Sequence, residues 1–97
     1  MEKKVWIGRI LFDPADPIYR DHFPDRPVVP GSLVVEAFLR IARAAGFPDR
    51  RIVVENFRFR EFLVPGLYDF RIEIRDETFQ CFLSSQNRKL VTGSLRR

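Results

Sequence analysis

The chain has 97 residues, 45% of them hydrophobic and ten of them phenylalanine, enough for one globular domain, residues 1–97, and too few for two. One cysteine and one histidine exclude an internal disulfide framework and a zinc centre built on soft ligands, so no metal is expected. Seventeen lysines and arginines against thirteen acids give a net charge of +4, but the bases are interspersed with acids and form no block, so no nucleic-acid partner is expected. The same balance would suit the steering of an acidic protein partner.

The N-terminus MEKKVWIGRIL lacks the long apolar run of a signal peptide. No window reaches the roughly 20 apolar residues of a membrane span. With the single cysteine Cys81 set among apolar neighbours, these features place the protein in a reducing cytoplasm, away from membranes. Residues 5–12 (VWIGRILF) are β-branched or aromatic and read as a first strand. Pro14, Pro17, Pro24, Pro27 and Pro30 follow, each fixing its own φ and biasing its predecessor toward extended backbone. This reads as a long, stiff, irregular loop, and loops of that length within a compact domain are usually functional.

A helix is expected over residues 32–45, after Pro30-Gly31, with Ser32 as N-cap and Gly46 and Pro48 ending it. Apolar residues surround nearly its whole circumference, which predicts burial on most sides. Glu36 is its only acid and sits in the driest turns. From residue 52 the pattern is β to the end, as IVVENFRFREFLV, LYDFRIEIRD, TFQCFLSS and KLVTGSLRR. In the second of these, Tyr68, Phe70, Ile72 and Ile74 alternate with Asp69, Arg71, Glu73 and Arg75, so one face is apolar. Pro65-Gly66, Asp76-Glu77 and Gln86-Asn87 read as tight turns of an antiparallel meander. One strand, one buried helix and four strands is an α+β order, and an antiparallel sheet of about five strands wrapped around the helix satisfies both. So small a domain leaves much surface unburied, which favours a homodimer or a dimer of higher order.

Residues 22–37, HFPDRPVVPGSLVVEA, match a long pattern, H-F-P-G-x-P-x-x-P-G-x-L-x-x-E-A, and thereby resemble the β-hydroxyacyl-acyl-carrier-protein dehydratases of the hotdog fold. Glu36 follows His22 by fourteen residues, as in that pattern, and ENFRFREFLVPG is similar to the family's strand after the central helix. The resemblance covers roughly residues 18–95, on pattern alone outside the signature. It implies a hotdog-fold dimer that dehydrates a (3R)-3-hydroxyacyl thioester to the trans-2-enoyl thioester, in fatty-acid or polyketide-type biosynthesis. The substrate would ride on the phosphopantetheine of an acyl carrier protein, with no cofactor of the enzyme's own. His22 and Glu36 match the family's catalytic pair, working across the dimer, and Gly31 the helix-start glycine whose N–H binds the thioester carbonyl. Phe23 and Phe38 are the phenylalanines expected to touch substrate.

The chemistry asks for these residue types. Imidazole is a base of near-neutral pKa, fit to take the α-proton. Free N–H groups at a helix start suit the charge that develops on the carbonyl oxygen. A carboxyl on a dry helix face keeps a proton for the departing hydroxyl. The sequence departs from the family at Asp25, where glycine is usual, and at Arg40, where glutamine is common. Arg40 lies one helical turn after Glu36, where it would hold that carboxylate ionised. Only 21 residues precede His22, fewer than in typical members, whose added segment helps cover the site. Two other readings are compatible with the same sequence: a non-catalytic hotdog protein that binds acyl chains or acyl carrier, and a hotdog acyl thioesterase. The His-to-Glu signature favours the dehydratase over the thioesterase.

Overall fold

A computed structural model describes residues 3–21, 25–47 and 51–96. In chain order these form β1 (Lys4–Phe12), α1 (Ile18–Asp21), α2 (Gly31–Ala44), β2 (Val53–Phe59), β3 (Gly66–Arg75), β4 (Thr78–Ser85) and β5 (Arg88–Arg96). The five strands make one antiparallel sheet in the order β1-β3-β4-β5-β2, and α2 packs against one face of it. This is the α+β hotdog arrangement expected from the sequence.

Local chemistry accounts for most elements. Asp76-Glu77 and Gln86-Asn87 close the two-residue hairpins β3–β4 and β4–β5. Gln86 and Asn87 both take positive φ, 51° and 63°, which suits the right-handed twist of the strands they join. The alternation in β3 holds: Tyr68 and Ile72 are buried while Asp69, Arg71 and Arg75 face solvent. Helix α2 ends in a paired arrangement of the Schellman type, in which Gly46 N–H donates to Arg43 O (3.0 Å) and Phe47 N–H to Ala42 O (2.9 Å). Gly46 supplies the positive φ of 90° that this stop requires.

Four expectations are corrected. The Pro65-Gly66 turn joins no hairpin, because β2 pairs with β5 at one side of the sheet and β3 with β1 at the other. Residues 60–65 instead cross the sheet end, held by Arg60 N–H on Leu90 O and by Val29 N–H on Leu63 O. The proline-rich loop is not wholly irregular: Asp16 accepts from Ile18 N–H at 3.1 Å and starts the single turn α1, with Pro17 where a proline fits a helix start. Ser32 is not the N-cap of α2; Pro30 holds that position and no side chain caps the helix. Finally, α2 is not dry all round. Val34, Phe38 and Ala42, spaced four apart, are fully buried, while Ser32, Arg40, Arg43 and Ala44 are exposed. The helix meets a single sheet face, and one face can cover only one stripe of a helix.

The core joins that stripe to Ile72, Leu83, Val91 and Leu95 of the sheet. Phe57 lies so close over Gly93 that a side chain there would displace its ring, and Phe47 stacks on Phe79 with ring centroids 4.3 Å apart. Cys81 is buried as expected, and burial pushes its thiol up to about 12.

Candidate active site

Of the expected site residues, Gly31, Glu36 and Phe38 are described; His22 and Phe23 lie outside the described residues. Gly31 is the first residue of α2, where the leading N–H groups of any helix lack intrahelical partners. Its bare α-carbon faces the ring of Phe59, and a Cβ there would come 3.1 Å from that ring's Cζ. Phe38 does not reach a site. It is fully buried, with its ring 6.1 Å from that of Phe57, and works in the core. Its spacing with Val34 and Ala42 carries the signal that it faces the sheet.

Glu36 stands on the part of α2 turned away from the buried stripe. Its side chain is 42% exposed, so the dry surroundings expected from the sequence are not formed within one chain. The expected pairing with Arg40 is formed, with Arg40 Nε 3.6 Å from the carboxylate oxygen. Arg43 Nη1 approaches the same oxygen to 3.5 Å. Sequence reasoning missed Arg43, although seven residues is two helical turns and returns to the same face.

Glu36 and Arg40 line an open cavity of about 440 Å³ between α2 and β1. Its walls are apolar where Leu33, Ala37 and Ile41 meet Ile10 and Phe70, and charged where Arg9, Asp13 and Asp16 join. Tyr19 also borders it. Burial first, then the carboxylate of Asp16, then Tyr68 and Asp13, push the Tyr19 hydroxyl above the ordinary tyrosine range, so it keeps its proton at neutral pH. The described residues thus place a carboxylate beside two guanidinium groups on a partly apolar cavity, while the helix start at Gly31 faces Phe59 and does not line it. Among the described residues no group of histidines, cysteines and carboxylates is arranged to hold a metal.

A five-stranded sheet in this order, carrying one helix with an outward carboxylate beside a cavity, defines a hotdog-fold protein. The family can be named more narrowly. The chain belongs to the ApeI-like dehydratases, whose family model (ApeI dehydratase) matches residues 1–94. It is 32% identical over 95 residues to the 3-hydroxyacyl-[acyl-carrier-protein] dehydratase FabZ of Bordetella parapertussis, an alignment covering 82% of this chain and 62% of that protein. With the FabZ of Rhodospirillum rubrum it shares 41% over 75 residues, covering 67% of this chain and 46% of the relative. The chain therefore spans less than two thirds of the length of these relatives. Among solved structures, the dehydratase heterocomplex ApeI:P from Xenorhabdus doucetiae superposes with a TM-score of 0.70 at 18% identity, over 99% of this chain and 93% of that one. An uncharacterized protein from Erwinia carotovora subsp. atroseptica superposes with a TM-score of 0.74, also at 18% identity, over 99% and 84% of the two chains. These two likenesses establish the fold. Among the described residues no helix is long and apolar enough to cross a membrane.

Proposed function

We propose that this chain dehydrates a (3R)-3-hydroxyacyl thioester, carried on acyl carrier protein, to the trans-2-enoyl thioester. The observation that carries this reading is the position of Glu36: fourteen residues after His22, as in the dehydratase signature, and on the wall of the cavity between α2 and β1. In the proposed reaction His22 takes the α-proton, and N–H groups at Gly31 stabilise the carbonyl oxygen as electrons move toward it. The Cα–Cβ double bond forms as the Cβ–O bond breaks, and Glu36, its exposed pairs with Arg40 and Arg43 opened by the bound substrate, gives the departing hydroxyl its proton, so that water leaves. Phe23, next to the base, contacts the acyl group. No oxidation or reduction occurs, His22 and Glu36 regain their starting protonation by exchange with solvent, and the proposed reaction uses no cofactor or metal of the enzyme's own.

A homodimer fits the surface. Glu36 is 42% exposed within one chain, and a second copy would supply the drier surroundings that the proposed acid role asks for. Strand β2 bonds only β5 among the described residues and exposes Val53, Val54 and Phe59 beside its free edge. Arg20 and Arg26, which flank His22 in the sequence, are exposed, suited to an acidic carrier protein, as is Arg51 after α2. Cytoplasmic location accords with the single buried cysteine.

The test is incubation with 3-hydroxyacyl and enoyl thioesters, following enoyl absorbance and free thiol. Enoyl formation is expected, lowered about 10²–10⁴-fold in His22→Ala and in Glu36→Gln with little change in thermal midpoint. Thiol release without enoyl would identify a thioesterase, and neither product an acyl-binding protein. Sedimentation of the wild type as an 11.5 kDa monomer at micromolar concentration would remove the shared-site arrangement.

A further inference from the structure

We propose that Phe70 is the end wall of the acyl site and sets the chain length the protein accepts, with Gly8 fixing where the Phe70 ring lies. The identity of the occupant rests on the dehydratase reading. The cavity that carries Glu36 also carries Phe70, and its apolar walls include the aliphatic side chains of Leu33, Ala37, Ile41 and Ile10. A thioester whose β-hydroxyl meets Glu36 has only its acyl tail to place along those walls.

Phe70 differs from its neighbours on the same face of β3. Tyr68 and Ile72 are buried, whereas Phe70 is half-buried, so its ring has an open side, and the cavity borders it. On its other side the ring lies over β1. Gly8 pairs with Phe70 across the β1–β3 ladder, and a Cβ on Gly8 would come 2.6 Å from the ring's Cε2 and 2.8 Å from its Cζ. The ring occupies the space that any other residue at position 8 would fill. A methyl group there must push the ring off β1, and one of the open spaces that border the ring is the cavity that carries Glu36. Among the residues lining the cavity, Phe70 is the one contributed by β3, and its ring is the wall whose position the residue at Gly8 governs. Glycine at position 8 keeps the cavity long; a larger residue would shorten it.

The experiment measures dissociation constants of saturated acyl-pantetheines, lengthened two carbons at a time, on the full chain by calorimetry. Turnover of the matching 3-hydroxyacyl-pantetheines is measured in parallel. Each methylene that fits should tighten binding about 4-fold, from about 0.8 kcal/mol per buried methylene, until the tail meets the ring. Phe70→Ala should move that break to longer chains and Gly8→Ala to shorter ones. Phe70→Leu, which keeps an aliphatic group in the sheet, should shift it in the same direction as Phe70→Ala by less. Circular dichroism checks that each variant folds, and if Gly8→Ala does not, the two Phe70 variants decide. The same break in wild type and Phe70 variants, or no dependence on length, overturns the proposal. Turnover of the shortest substrate tests the dehydratase reading separately. Turnover with an unmoved break sinks only the end wall, and a moved break without turnover sinks only the dehydratase.

Discussion

The two faces of helix α2 are built from the same fourteen residues and have opposite tasks. Toward the sheet, Val34, Phe38 and Ala42 are sealed from solvent. Away from it, Glu36 shares its charge with Arg40 and Arg43, whose side chains are 77% and 42% exposed. The first face is held by removal of apolar surface from water, which tolerates no loss of volume. The second is held by exposed ion pairs that contribute little to folding. The difference shows how this small domain can vary its chemistry without unfolding: the groups near the proposed reaction are not those that hold the helix down.

The sharpest break of that comparison is Phe38→Ala, which empties a fully buried position and should destabilise the fold by about 3–5 kcal/mol, read from the urea midpoint. A loss below about 1 kcal/mol would mean that the sheet does not clamp this face. Next comes the sheet itself. The Cys81 thiol is pushed up to about 12 by burial, against an ordinary 9.0, so the folded chain keeps a proton that the unfolded chain releases. Stability should therefore be complete below about pH 9 and fall by about 1.4 kcal/mol per pH unit above it, until the folded thiol also ionises. Tyr19 and Tyr68, both raised mainly by burial, add to the same decline at higher pH. Urea titrations at rising alkaline pH measure the slope, and Cys81→Ala should remove its first part. The smallest effect belongs to the outward face. Arg40→Gln should change stability by no more than about 0.5 kcal/mol, a difference that added salt erases, because the pair is exposed and Arg43 remains beside Glu36. A cost above about 1 kcal/mol would show that the outward face also carries the fold.

Much of this molecule was legible in its sequence because the relevant physics is local. The period-two pattern of Tyr68 to Arg75 and the turn pairs Asp76-Glu77 and Gln86-Asn87 specify neighbouring strands without reference to anything distant. Gly46 stops α2 through bonds that span five residues. The one-turn helix α1 was also local but was masked, since a run of prolines reads as loop while Asp16-Pro17 is equally a helix start. The signature that joins His22 to Glu36 was legible as residue types and spacing. Other features depend on contacts between segments far apart in the chain. Nothing near Pro65-Gly66 distinguishes a hairpin from a crossing to the far side of the sheet, and only the pairing of β2 with β5 decides it. A nearly all-apolar helix does not declare which stripe will meet the sheet, so Phe38 could be expected at the substrate while it lies in the core. The glycines at positions 8 and 93 are alike in sequence, each in a strand, yet Gly8 receives the ring of Phe70 beside an open cavity and Gly93 that of Phe57 in the packed interior. Sequence fixes what each side chain can do, but burial is a property of surfaces that meet only after the strands have chosen their neighbours.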